Sequence, residues 1–161
     1  MLTTHPLTDA FCLAYAADSA FDVDRYAVDG KPTDESMAKY LEEFERCVET
    51  QDYEPLCKPG EKPTLFWFRP VKHSEADIII GLNLGPAAST AIFRMCLRSI
   101  DDPALGQVEL KRTADPKLPG LGNVLSIPVL DSLVARTRDF DFVHFLGNYV
   151  FSRSRATAPK R

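Results

Sequence analysis

The stretch KPTLFWFRPV, residues 62–71, places four large apolar side chains in a row between two prolines. Because side chains alternate along a strand, Phe66 and Phe68 would share one face while Trp67 points to the other, so both faces would be apolar. Proline lacks the amide hydrogen that a central strand needs, so the two prolines are predicted to bound a strand at Leu65–Arg69. The Trp67 face would then be covered either by the last helix of the chain or by another protein.

Length and composition indicate one soluble globular domain. The chain has 161 residues, of which 45% are hydrophobic and 26% are charged, as in ordinary folded domains of this size. Glycines and a proline interrupt the longest apolar stretch, so no transmembrane helix is expected. The N-terminus has no basic residue before its short apolar run and lacks the charged start of a secretory signal, so we expect a cytoplasmic chain.

Charge is distributed unevenly along the chain. Residues 1–62 contain 14 acidic and 6 basic side chains, a net charge of −8, whereas residues 63–161 contain 9 acidic and 13 basic, a net charge of +4. The halves could attract one another, or one half could meet a charged partner. Residues 1–152 are predicted to form the domain, and the basic tail 153–161 is predicted to be flexible; alternatively, it becomes ordered on an acidic partner or, as the weaker alternative, contacts nucleic acid.

The clearest element is a helix at residues 34–49, whose apolar side chains recur at the three- and four-residue spacing of one helix face. Thr33 is placed to cap it, and Asp34 and Glu35 suit the positive end of the helix dipole. Earlier in the chain, the short apolar segment 11–16 could be either a strand or a first helical turn.

The middle of the chain predicts two consecutive helices followed by a strand. Ser74 and Asp77 form a capping-box pattern ahead of three isoleucines, which indicates a buried helix at 74–84, although such a run also suits a strand. A second helical pattern covers 87–100. Beyond it, alternation of apolar and charged residues predicts a half-exposed strand at Val108–Lys111.

Two helices are predicted at the C-terminus. Ser126 and Pro128 suit the start of the first, and residues 137–141 form the turn before the second, which Asp139 or Asp141 can cap. The last helix carries an apolar stripe, which is either covered by the sheet or borrowed by a partner; apolar stripes usually face the core, so we favour the sheet. The stripe comprises Phe142, Phe145, Leu146, Tyr149 and Val150.

No motif for catalysis, metal binding or cofactor binding is present in the sequence. The four cysteines and three histidines are widely separated, without the close pairs of zinc sites, which favours free and mostly buried thiols. A nucleophile pair such as Cys96 with His73 or His144 can be assembled only by choosing among scattered residues. We therefore expect neither a cofactor nor a metal, and rank an enzyme third among the function classes.

Two short patterns resemble a known group of proteins. They are P-T-x-F-x-x-R-P at residues 63–70 and L-G-x-x-V-x-x-x-S at residues 146–154. With the order of elements, they resemble small proteins from the tail-assembly gene clusters of tailed bacteriophages, including tail assembly chaperones. The resemblance implies a non-enzymatic assembly factor or a minor structural piece of the virion, and it carries no catalytic residue.

Together these features predict a single α+β domain in which a small sheet of a few strands packs against several helices. Its predicted function is non-enzymatic protein binding, as in a bacteriophage tail assembly chaperone, with a virion structural subunit of the tail or head-tail region as the alternative. The expected partner is a tail or other virion protein, or a second copy of the chain, in the host cytoplasm or in the virion. Neither nucleic acid nor a membrane is expected as a partner. Aromatic residues and arginine often anchor interfaces, and the predicted contact residues are Phe66, Trp67, Phe68, Arg69, Phe142, Phe145, Tyr149, Phe151, Arg153 and Arg155.

Overall fold

A computed structural model of the chain describes residues 10–104, 106–137 and 141–156. Within these ranges a four-stranded antiparallel sheet, a separate two-stranded hairpin and a set of helices form one α+β domain, as the sequence predicts. The strands are β1 (Phe11–Leu13), β2 (Leu65–Phe68), β3 (Leu97–Asp102), β4 (Gly106–Gln107), β5 (Arg112–Ala114) and β6 (Asn123–Leu125). The helices are α1 (Asp34–Thr50), α2 (His73–Leu82), α3 (Ala87–Cys96), α4 (Ile127–Thr137) and α5 (Asp141–Ala156).

Strand β2, the aromatic stretch, lies between β1 and β3 in the sheet order β1-β2-β3-β4. Both of its edges are therefore hydrogen-bonded, which explains why the two prolines lie outside it. Phe66 is paired with Leu13 on one side and with Ile100 on the other. All three side chains are buried, and they mark the face of the sheet that builds the core.

A β-bulge interrupts the pairing of β2 with β3. Trp67 is opposite Ser99 and Phe68 is opposite Leu97, so Arg98 is an extra residue without a partner in β2. The bulge places the two buried residues Leu97 and Ile100 three positions apart, which is helical rather than strand spacing. This corrects the prediction of a helix through residue 100: the helix ends at Cys96 and the chain continues as a strand.

Helix α1 confirms the sequence prediction in its bounds, its cap and its apolar face. The Thr33 hydroxyl accepts a hydrogen bond from the Ser36 amide at 3.1 Å, and the Ser36 hydroxyl accepts one from the Thr33 amide at 2.8 Å. The helix ends where Gln51 adopts a left-handed conformation with φ of 58°. Phe44, on its buried face, packs against Phe145 of α5 with ring centroids 5.9 Å apart.

The isoleucine run is helical, but α2 is only partly buried. Successive residues in a helix are turned by about 100°, so three adjacent side chains cannot share one face. Ile79 is buried, whereas Ile80 is 64% exposed. The predicted capping box at Ser74 and Asp77 is wrong, because the helix begins one residue earlier and the Glu75 carboxylate accepts from the Lys72 amide at 3.0 Å.

The predicted strand at Val108–Lys111 is also wrong. Pairing stops after Gln107 and begins again at Arg112, which is opposite Leu125 of the hairpin. Burial nevertheless alternates from Val108 to Lys111, so the sequence pattern reflected burial and not strand pairing. Strand β6, after the glycine-rich loop, was not predicted, and it packs against α3.

Helices α3 and α5 form the most extensive helix contact in the fold. Phe142, Leu146 and Val150 of α5 are buried, so its apolar stripe faces the core as favoured from the sequence. The helix continues to Ala156 and Ser154 is buried, which corrects the predicted start of a flexible tail at residue 153. Residues 157–161 and Asp139 lie outside the described ranges.

Candidate functional site

Three of the predicted contact residues belong to the core. Phe66, Phe68 and Phe142 are at most 4% exposed. The ring centroid of Phe66 lies 5.8 Å from that of Phe142, and the centroid of Phe68 lies 5.7 Å from that of Phe93. These rings fill the space between the sheet and helices α3 and α5, which corrects their assignment to a contact surface.

Two further predicted contact residues are half-buried between α5 and its neighbours. Phe145 packs edge-on against Tyr15 as well as Phe44, with centroids 5.3 and 5.9 Å away. The hydroxyl of Tyr149 donates a hydrogen bond to the Glu45 carboxylate of α1. Both side chains therefore hold α5 in place within the chain.

The remaining predicted residues of α5 lie near its C-terminal end. Phe151 and Arg153 are half-buried. Arg155 lies within α5, but its side chain lies outside the described part of the structure. The end of α5 therefore offers less aromatic surface than its sequence suggests.

Trp67 lies on the opposite face of the sheet, which we call the outer face. The residue is 37% exposed, whereas Phe66 and Phe68 on either side of it are buried. Strand pairing places Cys12 of β1 and Ser99 of β3 beside it. Helix α5 packs on the Phe66 side of the sheet, so it does not cover Trp67, and part of the indole faces solvent.

A side chain closes the free edge of the sheet at β1. The Cys12 amide donates to Oε1 of Gln51 at 2.7 Å, and Nε2 of Gln51 donates to the Cys12 carbonyl at 2.9 Å. The Tyr53 hydroxyl donates to the same carbonyl at 2.8 Å. Gln51 thus forms the hydrogen bonds that an added strand would form at this position. A partner protein would therefore contact the outer face of the sheet and not pair with this edge.

Arg69, another predicted contact residue, forms an ion pair next to the outer face. Its Nη1 and Nη2 donate to the two carboxylate oxygens of Glu75 at 2.6 and 2.7 Å. Burial alone would raise the pKa of Glu75, but hydrogen bonds from Arg69 and from the Lys72 amide outweigh it and lower that pKa. Arg69 is therefore tied to the start of α2.

Two more arginines lie close to this ion pair. Arg112 donates to the carbonyls of Arg94, Met95 and Leu97 at 3.1, 2.6 and 2.7 Å, which satisfies the C-terminal end of α3. Burial, followed by the positive charges of Arg98 and Arg69, lowers the pKa of Arg112. Arg98, the bulge residue, is exposed and has no ion-pair partner in the part of the chain that the structure describes.

The other end of the outer face is acidic. Asp101 is exposed, is opposite Leu65 in β2, and makes no ion pair with any described residue. Both line a cleft of about 800 Å³ beside the sheet. The charged residues around this cleft are Asp52, Glu54, Lys58, Glu61, Lys62 and Asp101.

The thiols are poorly suited to nucleophilic catalysis. Burial raises the pKa of Cys12 and Cys96 to about 12 and that of Cys47 to about 11, and it also raises the pKa of Cys57. A thiol must ionise to attack an electrophile, so each of these is almost fully protonated at neutral pH. None of them is in a disulfide.

A serine–histidine pair joins α3 to α5. Oγ of Ser89 lies 2.7 Å from Nδ1 of His144, and the Ser89 hydroxyl is also 3.2 Å from the Pro86 carbonyl. Ser89 is only 5% exposed, whereas His144 is exposed, so the serine hydroxyl itself is largely shielded from solvent. Sequence alone could not pair two residues 55 positions apart, and the pair acts as a link between helices.

Neither a metal-binding cluster nor a membrane-spanning helix is found within residues 10–104, 106–137 and 141–156. No group of three or more histidine, cysteine or acidic side chains is arranged there to hold a metal ion. Among the helices described, none is long and apolar enough to cross a membrane.

The residues that carry the bacteriophage resemblance have structural roles here. The Ser154 hydroxyl accepts a hydrogen bond from the Val71 amide at 2.9 Å and donates one to the Val150 carbonyl at 2.7 Å. The end of α5 is thereby attached to the chain just after β2. Gly147 lies against the backbone of Ser89, where a Cβ atom would clash. The second pattern therefore attaches α5 to α3 and to the residue that follows the first pattern.

We compared the chain with models of known protein families, with curated proteins and with solved structures, and none of the three comparisons gave a significant match. Of the residues of the candidate site, Trp67 and Arg69 were predicted from the sequence. Arg98 and Ser99 were missed because the bulge made their strand look helical, whereas Asp101, which follows the predicted helix, was interpreted as a turn residue.

Proposed function

We propose that this chain is a non-enzymatic protein-binding factor that holds its partner against the outer face of the sheet. The observation that carries the proposal is the position of Trp67, an aromatic side chain 37% exposed on a central strand whose opposite face is buried. A tryptophan in such a position provides a large, rigid contact, and tryptophan and arginine are the side chains that most often dominate binding energy.

Rigid support favours recognition at this face. Trp67 is held from both sides by paired strands, and more than a third of it is exposed to solvent, although its neighbour Cys12 on β1 is buried. A contact residue on a central strand is ordered before binding, so less conformational entropy is lost when the partner arrives.

Within this class, assembly of bacteriophage tails is the specific role that we propose. It rests on the sequence resemblance of residues 63–70 and 146–154 to proteins of tail-assembly gene clusters. A tail assembly chaperone would act in the host cytoplasm and leave before the particle is finished. The alternative is a virion subunit of the tail or head-tail region, in which the same face would make a permanent contact.

Co-purification with a matched pair of variants tests protein binding. The tagged chain would be expressed in the cells that naturally contain it, as wild type, as Trp67→Ala and as Ile80→Ala. Ile80 is the control because it is also a large exposed apolar residue, 64% exposed, but lies on α2. We expect a partner that is retained by wild type and Ile80→Ala and lost from a stably folded Trp67→Ala. Equal retention by all three variants would refute a role for the outer face.

Mass spectrometry of purified particles separates the two specific roles. A chaperone should be absent from finished particles or present only in traces. Many copies of the chain per particle would instead establish the virion-subunit alternative.

A further inference from the structure

Charges of opposite sign flank Trp67 on the outer face. Asp101 is opposite Leu65, Ser99 is opposite Trp67, and the bulge residue Arg98 follows at the far end. Asp101 and Arg98 are three positions apart, and because the bulge shortens β3 at Arg98, their separation along the strand is less than the roughly 10 Å that three regular steps of about 3.3 Å would give. The outer face therefore presents a carboxylate, an apolar centre and a guanidinium in a line.

The surroundings reinforce this polarity. The acidic end has four carboxylates and two lysines around the cleft that contains Asp101, a net charge of −2. At the other end three arginines, Arg69, Arg98 and Arg112, are near one carboxylate, Glu75, a net charge of +2. Since neither Asp101 nor Arg98 is paired within the described residues, both can accept a partner's charge without breaking an existing ion pair.

From this arrangement we infer that the outer face binds a short extended polypeptide segment of mixed charge, in which a large apolar side chain lies between an acidic and a basic residue. The apolar side chain would pack on Trp67 and Leu65, the acidic residue would lie at Arg98, and the basic residue would lie at Asp101. This inference rests on the proposed function and adds to it the chemistry of the partner.

A nucleic acid fits this face less well. Single-stranded nucleic acid binds by base stacking together with a positive groove that follows its phosphates. Trp67 and Arg98 could supply one stacked base and one phosphate contact, but the carboxylate of Asp101 and the acidic cleft lie on the other side of Trp67 and would repel the next phosphate. A uniformly acidic peptide would meet the same repulsion, since like charges placed opposite each other suppress binding.

Trp67 is the only tryptophan of the chain, so its fluorescence reports directly on this face. The probes are three synthetic heptapeptides with a central leucine: one with two glutamates on one side and two lysines on the other, one with four glutamates and one with four lysines. Oligo(dT) is the fourth probe. We expect the mixed peptide to bind about five- to tenfold more tightly than the other three, as two exposed ion pairs provide.

Charge-reversal variants test the assignment of each end, with fluorescently labelled peptides and anisotropy as the readout. Arg98→Glu should move the preference to the four-lysine peptide, and Asp101→Lys should move it to the four-glutamate peptide. Lys39→Glu, on α1, is the matched control and should leave the preference unchanged. A merely structural role of Arg98 or Asp101 would weaken all peptides equally and would not exchange their order.

The possible failures are distinguishable. Equal binding of all three peptides that is lost in Trp67→Ala would overturn the charge rule but leave the proposed function standing. Binding that Trp67→Ala does not reduce would overturn both. Preference for oligo(dT) would identify the face as a nucleic-acid site instead. The absence of any response up to about 1 mM probe, the weak limit of specific recognition, would refute the inference, while the co-purification test would still decide the proposed function.

Discussion

Replacing Gly147 by alanine should destabilise the fold, although the same change usually stabilises a helix. Gly147 lies in α5 where this helix crosses α3. An added Cβ would lie 2.7 Å from the carbonyl carbon of Ser89 and 3.1 Å from its Cα. These are backbone atoms, which cannot rotate away as a flexible side chain would. The Ser89 carbonyl oxygen would be closer still, so the two helices would have to separate by more than the roughly 0.7 Å that restores 3.4 Å to the carbonyl carbon.

The size of the effect follows from two opposing contributions. Overpacking of a core typically costs about 1–3 kcal/mol, and a clash between two backbones belongs at the upper end. Alanine regains up to about 1 kcal/mol of helix propensity over glycine. The expected net loss is about 2 kcal/mol, or about 4–8 °C in Tm for a domain of this size. The same separation would break the hydrogen bond between Ser89 and His144.

Gly81 provides the matched control. It lies in α2, and an added Cβ would have no atom within 4 Å, so Gly81→Ala should raise stability by about 0.5–1 kcal/mol through helix propensity alone. Urea and thermal unfolding of both variants, followed by circular dichroism, would measure the difference. If Gly147→Ala were as stable as wild type or more stable, the close approach of α3 and α5 described here would be incorrect.

Three other perturbations test the remaining contacts. Trp67→Ala should lower the free energy of unfolding in urea by only about 1–2 kcal/mol, because more than a third of Trp67 is exposed. A fully buried aromatic residue typically costs about 3–5 kcal/mol, so a loss of about 4 kcal/mol would show that Trp67 belongs to the core. Glu75→Gln should lower the free energy of unfolding by about 1–3 kcal/mol at pH 7. Because the folded-state pKa of Glu75 is lowered, this stabilisation is complete above about pH 4.3, the pKa in the unfolded chain, and declines as the pH falls through the folded-state pKa. A stability difference from wild type that stays constant down to pH 2.5 would contradict the ion pair. Gln51→Ala should lower the free energy of unfolding by about 1–3 kcal/mol, because it leaves the Cys12 amide unpaired. Gln51→Gly is the control, since glycine adopts the left-handed backbone at this position without strain. An equal loss in both variants would assign the effect to the lost hydrogen bonds.

Local signals explain which elements were predictable. Helix α1 was predicted in its bounds and its cap because Thr33, the acidic first turn and the apolar spacing all favour the same helix. Strand β2 was predicted because a run of aromatic residues between prolines has few alternatives. In contrast, Leu97 and Ile100 of β3 are three residues apart because Arg98 bulges from the strand, and no local pattern distinguishes that spacing from a helical turn.

The candidate site was predictable only in part, for a related reason. Trp67 was singled out because it is the largest apolar side chain of a strand with two apolar faces. Its neighbours on the outer face come from β1 and β3, which are tens of residues away in the sequence. The register in which these strands pair with β2 decides which residues lie beside Trp67. The partner of Arg69, in turn, became clear only when the first turn of α2 was seen to place Glu75 next to the end of β2.

The sequence by itself determined that the chain has a strand at residues 65–69, of which 65–68 are paired in the structure, a capped amphipathic helix beginning at residue 34 and an apolar last helix, since each depends on spacing within a few residues. Only the tertiary structure decided which apolar face is buried. Helices α3 and α5 can pack on one side of β2, where Phe66 and Phe68 meet Phe93 and Phe142. Trp67 points to the other side of the sheet, where it remains 37% exposed, and its place in the sheet decides this exposure, since its own sequence is not polar.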